Sequence, residues 1–400
     1  MSQAHAERAH ALLSASGASR WINCPPSARL TEHIPDTRSE YADEGTAAHE
    51  LSEIKLRRSL YPCNSQERKR LADALEQFKA TNPYYGSEME NAVQDYVDLV
   101  NERFMEAKAR SSDAVVLLEE QLDFSEWVPD GYGTGDVVFI SDGVLEIIDL
   151  KYGKGVPVSA IGNAQMRLYA LGAWSGYSYL YDIQEIRMTI VQPRLDSIST
   201  DAISVGELLE WADTVVKPAA ALADAGEGEY KAGDHCRWCK VKATCRARAD
   251  ANMAALEYEF RDPALLTLEE IGSILFVAEQ LKAWAKDVEE YAFEQAKAGL
   301  KIPQWKLVEG RSNRKIADEE EAVRRLGSAG VTEFLKTKLL PLGDLEKQVG
   351  KKKLAEMLDG LIVKPPGKPV LVPESDKRPE LNSLNSIDAE FANEEFSDAV

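Results

Sequence analysis

Three residues in one short stretch have the types and spacing for chemistry on a phosphate: Asp136, Asp149 and Lys151. Asp149 and Lys151 are two apart at the end of an Ile147-Ile148 run, so on a strand both side chains leave the same face. Asp136, on the preceding strand, can reach that face as well. Two carboxylates brought together repel and raise each other's pKa unless a divalent cation lies between them. A lysine beside them can orient a nucleophilic water and offset charge developing on a scissile phosphate. The competing reading is a surface Asp–Lys pair at a strand end.

Other residues keep company with this set. Upstream, Gly45, His49 and Glu53 fall at four-residue steps on one helical face. Downstream, Gln165 and Tyr169 are four apart on the next helix. Each alone reads as ordinary helix surface or core. The five cysteines are too few for a disulfide scaffold in a chain of 400 residues. Cys236-Arg-Trp-Cys239 with Cys245 makes a C-x2-C-x5-C cluster, a spacing that wraps a metal. Its fourth ligand is either the adjacent His235, which would complete a zinc site, or Cys24 far upstream. Cys63, beside Pro62, is left as a free thiol.

Elements must position these side chains. Residues 14–30 read as a short helix around Cys24, broken by Pro25-Pro26, and residues 44–58 have helical composition. In 88–110, Met89, Val93, Val97, Val100 and Phe104 recur at helical spacing. Residues 114–124, 135–141 and 144–151 are short Val- and Ile-rich strands, parted by Pro129-Asp130-Gly131 and Ser141-Asp142-Gly143. The Asp-Gly turn predicts a hairpin. Residues 163–174 return to helix, and 185–191 form a strand that stops at Pro193. This order predicts an α/β fold, a small core built on a mixed sheet.

Beyond the cysteines, a long helix carries Leu268, Ile271, Leu275, Ala278, Leu281 and Val288 on one stripe. A Thr267/Glu270 capping box opens it, and it ends near Gly299. Residues 318–360 read as short helices with glycine breaks. Residues 363–378, with four prolines, should run extended, and the acidic segment from Asn382 is expected to be disordered.

Taken in order, Gly45-x3-His49-x3-Glu53, Gly135-Asp136, Asp149-x-Lys151 and Gln165-x3-Tyr169 resemble the motifs of the RecB-like branch of the PD-(D/E)XK nucleases. They are similar to those of the CRISPR-associated adaptation exonucleases and the AddB nuclease domain. The resemblance implies a restriction-endonuclease-like core, a mixed sheet flanked by helices, with a mainly helical C-terminal region. It implies that His49, Asp136, Asp149 and the Leu150 backbone carbonyl hold Mg2+ or Mn2+. It makes Lys151 the catalytic lysine, with Gln165 and Tyr169 as the supporting pair near the DNA phosphates. The second acid is Asp, as in the RecB subgroup, where many members of the superfamily carry Glu. Gly135 stands where others have proline.

In the resembled nucleases one N-terminal cysteine and a C-terminal C-x2-C-x5-C trio hold a 4Fe–4S cluster. By that pattern Cys24, Cys236, Cys239 and Cys245 would hold one here, with zinc as the alternative. The implied domains are a nuclease domain over 1–250, a helical domain over 255–360 and a Pro-rich acidic tail over 361–400. Past residue 255 the chain resembles phage-borne RecB-like proteins, which implies a phage- or prophage-encoded protein in the cytoplasm of a bacterial host. The implied activity is a metal-dependent DNA exonuclease hydrolysing phosphodiester bonds in phage recombination or end resection. The rival is a non-catalytic DNA-binding or assembly protein that keeps the fold. The expected partners are DNA and a single-strand-binding or annealing protein, and a homo-oligomer would explain processivity.

Composition sets the outer bounds. A hydrophobic fraction of 44% and a charged fraction of 28% are those of a globular chain. The longest apolar runs, such as 114–118, fall far short of the roughly 20 residues a bilayer needs. The first twenty residues have scattered charges and no apolar stretch of a secretory leader. The net charge of −20 argues against a polyanionic partner only globally. Residues 231–248 hold six basic residues against one acid, while 386–400 hold five acids and no base. Charge is segregated, so Arg237, Lys240, Lys242 and, farther on, Arg311, Arg314 and Lys315 are candidate DNA contacts. A solvated basic surface is the plainer reading of each.

Overall fold

Gly143 takes φ 82°, which a side chain would oppose, and the turn it makes with Asp142 folds two strands into the expected hairpin. The computed structural model describes residues 11–35, 40–254, 268–310, 315–331, 340–363, 369–373 and 380–381. They fall into two units, Met1–Leu266 and Thr267–Val400.

The first unit begins with α1 (Ala18–Asn23) and α2 (Ser27–Leu30), parted by Pro25-Pro26 as their chemistry requires. Three longer helices follow: α3 (Glu40–Leu60), α4 (Ser65–Thr81) and α5 (Ser87–Arg110). Then come β1 (Val115–Asp123), β2 (Tyr132–Ser141), β3 (Gly143–Leu150), α6 (Ala164–Tyr177), β4 (Ile183–Gln192) and β5 (Ser197–Ser204). Helices α7 (Val205–Trp211), α8 (Lys217–Ala225) and α9 (Arg246–Met253) close the unit.

The strands form one sheet in the order β1-β2-β3-β4-β5. β3 and β4 are parallel and α6 crosses between them; the other pairs are antiparallel, so the sheet is mixed as expected. Alternation along the strands buries both faces. Val138, Ile140, Leu145 and Ile147 pack under α1, α6, α7 and α8, whereas Val137, Phe139, Ile148 and Leu150 pack under α3, α4 and α5. The α5 stripe read from the sequence is this second layer: Met89, Val93, Val97 and Val100 are buried, and Phe104 stacks on Phe139 at 5.6 Å.

Two elements of this unit lie outside the sequence expectations. β5 reads Ser-Ile-Ser-Thr-Asp-Ala-Ile-Ser and is an edge strand whose alternate residues stay exposed, Ile198 among them. α4 is rich in charge and is started by an Asn64/Glu67 capping box.

The second unit holds α10 (Leu268–Lys297), β6 (Trp305–Glu309), β7 (Lys315–Ile316), α11 (Glu319–Ser328), α12 (Leu342–Val349), α13 (Lys351–Met357), β8 (Ile362–Val363) and β9 (Pro369–Pro373). Gly350 parts α12 from α13, one of the glycine breaks expected. On α10, Leu281 and Val288 are half-buried, but Leu275 is 64% exposed. Part of the proline-rich segment is β9, paired antiparallel with β6, so its extended chain has a partner. Thr267 of the predicted capping box, Arg311, Arg314 and the acidic residues from Asn382 lie outside the described residues.

Candidate active site

The β2–β3 register, carried one step past Val137↔Ile148, sets Asp136 beside Asp149 where the ladder ends. There the backbone turns toward the carboxylate: the Leu150 amide donates to Asp136 Oδ2 at 2.8 Å. His49 reaches the same carboxylate from α3, with Nδ1 3.3 Å from Asp136 Oδ1. α3 packs on the opposite face of the sheet from α6, so the site gathers side chains from both layers at the strand ends.

Glu119 joins them, a residue the sequence motifs did not single out. The β1–β2 pairing runs through Leu118↔Val137 and resumes at Glu120↔Gly135, skipping the step at which Glu119 faces Asp136. At that step Glu119 adopts φ 53°, a left-handed conformation costly for a side chain of its size. His49, Glu119 and Asp136 each offer a ligand atom within 4.8 Å of the others, the one such set of three among the described residues. An imidazole and two carboxylates form a donor set suited to Mn2+ or Mg2+.

Asp149 is engaged otherwise. Its Oδ2 lies 2.8 Å from Lys151 Nζ, and its Oδ1 accepts from Gln165 Nε2 at 3.4 Å. Gln165 also accepts from Lys151 Nζ at 3.2 Å and donates to the Tyr169 hydroxyl at 3.1 Å. The four-residue spacing on α6 therefore brings Gln165 and Tyr169 into contact, with Asn163 capping the helix. Gly133 makes room: a Cβ there would lie 2.6 Å from Tyr169 Cε1. Glu53, one turn beyond His49, pairs instead with Arg57 at 2.8 Å.

Burial disfavours the His49 imidazolium, yet the adjoining Asp136 carboxylate, with Asp149 and Glu119 behind it, lifts its pKa to about 9. Burial pushes Asp136 up, but His49, the Leu150 amide and Lys151 together bring it below its ordinary value. Asp149 goes the other way, since burial and the Asp136 charge outweigh Lys151. The sequence expectation that the two acids raise each other thus holds for one, because His49 lies against the other. Burial opposes the Lys151 charge, but Asp149 and Asp136 raise its pKa and keep it an ammonium. Burial and Asp149 raise Tyr169, so its phenol keeps the proton. A cleft of about 700 Å3, walled by His49, Glu119, Asp136, Thr134, Tyr169 and Ser14, opens onto these groups.

The sequence matches, over residues 10–379, a family described as protein of unknown function (DUF2800). The chain belongs to this family. The DUF2800 match contains the carboxylate set and Cys24, Cys236, Cys239 and Cys245. Among solved structures, that of SSO0001 is 16% identical and covers 57% of this chain and 96% of that one, at a TM-score of 0.20. A likeness of that size transfers neither fold nor function.

In this DUF2800 chain, Cys24, Cys236, Cys239 and Cys245 line one small cavity, although Cys24 is distant from the others in sequence. Arg20, Lys231, Lys242 and Arg248 also line it, and among the described residues no carboxylate does. Burial would raise the Cys24 thiol, but a hydrogen bond with His235 and the backbone at Lys231 bring it below its ordinary value. Burial raises Cys239. Among the described residues no three of these thiols lie within 4.8 Å of one another, so what they share is the cavity and its cationic neighbours. Cys63 stands apart, its Sγ 3.7 Å from the Arg57 carbonyl.

Of the candidate DNA contacts, Arg237 is exposed and Lys240 donates to the Ile34 carbonyl at 2.6 Å. Lys242 belongs to the cysteine cavity, and Lys315 opens β7 in the second unit. Among the described residues no helix is long and apolar enough to cross a membrane.

Proposed function

We propose that this protein is a metal-dependent deoxyribonuclease of the RecB-like PD-(D/E)XK type, an exonuclease that resects DNA ends in phage recombination. The observation that carries this reading is the pairing of two sets at one sheet end: His49, Glu119 and Asp136 as metal ligands, and Lys151 held by Asp149 and Gln165. A divalent cation bound there supplies Lewis acidity to a phosphodiester. Asp136 accepts the Leu150 amide and so aims that backbone at the ligand set. The Lys151 ammonium, fixed by Asp149 and Gln165, offsets charge growing on the phosphate and orients a water toward it. The protonated Tyr169 hydroxyl bonds Gln165 and keeps it in place. The cysteine quartet is proposed to hold a 4Fe–4S cluster that ties the segment of α1 to the end of the domain, with zinc as the alternative.

The test is digestion of end-labelled linear and closed circular DNA with Mn2+, using anaerobically purified protein beside Lys151→Ala. Loss of linear DNA, survival of circles and an inert variant are the expected result. Loss of circles would make the enzyme an endonuclease. Binding of DNA without any cutting would replace this reading with the non-catalytic DNA-binding or assembly protein.

A further inference from the structure

The cluster loop shows two kinds of residue to two environments. Asp234–Trp238 is a single 3-10 turn; Cys236 within it and Cys239 just after it are buried, while Arg237 and Trp238 are exposed. The turn is pinned: Cys236 N–H donates to the Gly233 carbonyl at 2.9 Å, Cys239 N–H to the Cys236 carbonyl at 3.1 Å, and His235 Nε2 lies 2.8 Å from the Lys231 carbonyl. On this fixed support Trp238 is 73% exposed, with the Arg237 guanidinium 5.6 Å from its ring centre.

The place of Trp238 matters more than its exposure. It lines a groove of about 550 Å3 with His235, Lys240, Arg20 and Thr31. Ala11, Ser14 and Ser16 wall this groove and also wall the cleft that holds His49, Glu119 and Asp136. The two hollows are therefore neighbours, and a strand leaving one past the Ser14–Ser16 segment would meet the other. Among the described residues Glu32 is the groove's one carboxylate, and it is paired with Arg29 at 3.2 Å. The remaining charged lining among the described residues is cationic, which suits a polyanion.

We propose that Trp238 is a stacking platform for an unpaired base, so that the substrate enters the cleft as single-stranded DNA. This rests on the nuclease reading above. An aromatic face binds any base without reading its sequence, and the neighbouring guanidinium adds attraction for the strand. Bases inside a duplex are stacked on one another and offer no free face, so the platform discriminates for single strands.

The experiment uses the full-length protein with its cysteine site loaded, and Ca2+ in place of Mn2+ so that binding is read apart from cleavage. Affinities are measured for a labelled poly(dT) oligonucleotide and for a blunt duplex of equal length, with wild type, Trp238→Ala and Trp238→Phe. Trp238→Ala is expected to weaken poly(dT) binding roughly ten- to a hundredfold and to leave duplex binding nearly unchanged, while Trp238→Phe restores most of the loss. Metal content and melting temperature of each variant show that the loop is intact. Unchanged poly(dT) affinity in Trp238→Ala, or equal loss on both DNAs, overturns the platform. Wild type that cuts DNA while Trp238→Ala binds normally sinks this inference alone. A wild type that binds neither DNA sinks the nuclease reading and the platform with it.

Discussion

Glu119 faces Asp136 across the β1–β2 ladder at the one step where the pairing is skipped, and it does so at φ 53°. A glutamate held in the left-handed region is strained by about 1–3 kcal/mol. The strain coincides with the place where its carboxylate meets His49 and Asp136.

Replacing Glu119 separates strain from ligation. Glu119→Gln is expected to weaken Mn2+ binding about tenfold or more, read by calorimetry. Glu119→Gly removes the backbone strain, so the metal-free protein should melt higher than wild type while losing the stabilisation that Mn2+ brings. A metal-induced rise in melting temperature that survives in Glu119→Gly would remove Glu119 from the ligand set.

Lys151 and Gln165 should act on the chemical step and leave metal binding alone. Lys151→Ala is expected to lower kcat by about a hundred- to a thousandfold, with Mn2+ affinity within a few-fold of wild type. Gln165→Ala should cost less, because Asp149 still holds the lysine at 2.8 Å. Lys151→Ala also leaves Asp149 buried without its cation, so its melting temperature should fall. Equal losses in kcat and Mn2+ affinity would make Lys151 a support of the metal site.

The His49–Asp136 pair gives the metal-free protein a pH signature. The His49 pKa is raised from 6.5 to about 9, so its contribution to stability is fully present below pH 6.5 and is lost as pH rises through about 9. Asp136 is lowered from 3.8, so its contribution is present above that value and is lost as pH falls through the lowered one. Melts in EDTA across this range should show an alkaline decline that His49→Gln flattens. A decline identical in the variant would assign the titration to another group.

Cys24 and the C-x2-C-x5-C trio share one cavity, so losing any member should empty it. Cys24→Ala is expected to abolish bound iron and sulfide and to lower the melting temperature, because the tie between distant segments is lost. Zinc in place of iron, retained by Cys24→Ala, would point to His235 as the fourth ligand.

Much of the core was legible because its signals are local. The Asp142-Gly143 turn, the hydrophobic runs of β1 to β4, the stripe of α5 and the helix break at Pro25-Pro26 each depend on a few neighbouring residues. β5 was not, since an edge strand of Ser and Thr buries little, and α4 hides a helical stripe of Leu71, Leu75 and Phe78 among charged residues. The site divides in the same way. Asp149 with Lys151, and Gln165 with Tyr169, are spaced by the strand and helix that carry them, and their contacts follow. Glu119 lies in no motif, and nothing in Leu-Leu-Glu-Glu announces a left-handed residue.

By itself the sequence determined the α/β class, the hairpin that sets Asp136 beside Asp149, and the helical faces of His49 and of Gln165 and Tyr169, because turn chemistry and side-chain period act over a few residues. Only the tertiary structure decided that Glu119 stands beside His49 and Asp136, that Cys24 lines one cavity with Cys236, Cys239 and Cys245, and that Trp238 lines a groove sharing a wall with the cleft. Those relations join segments far apart in the chain. Strand register and the packing of helices on both sheet faces bring them together, and neither is a property of any one segment.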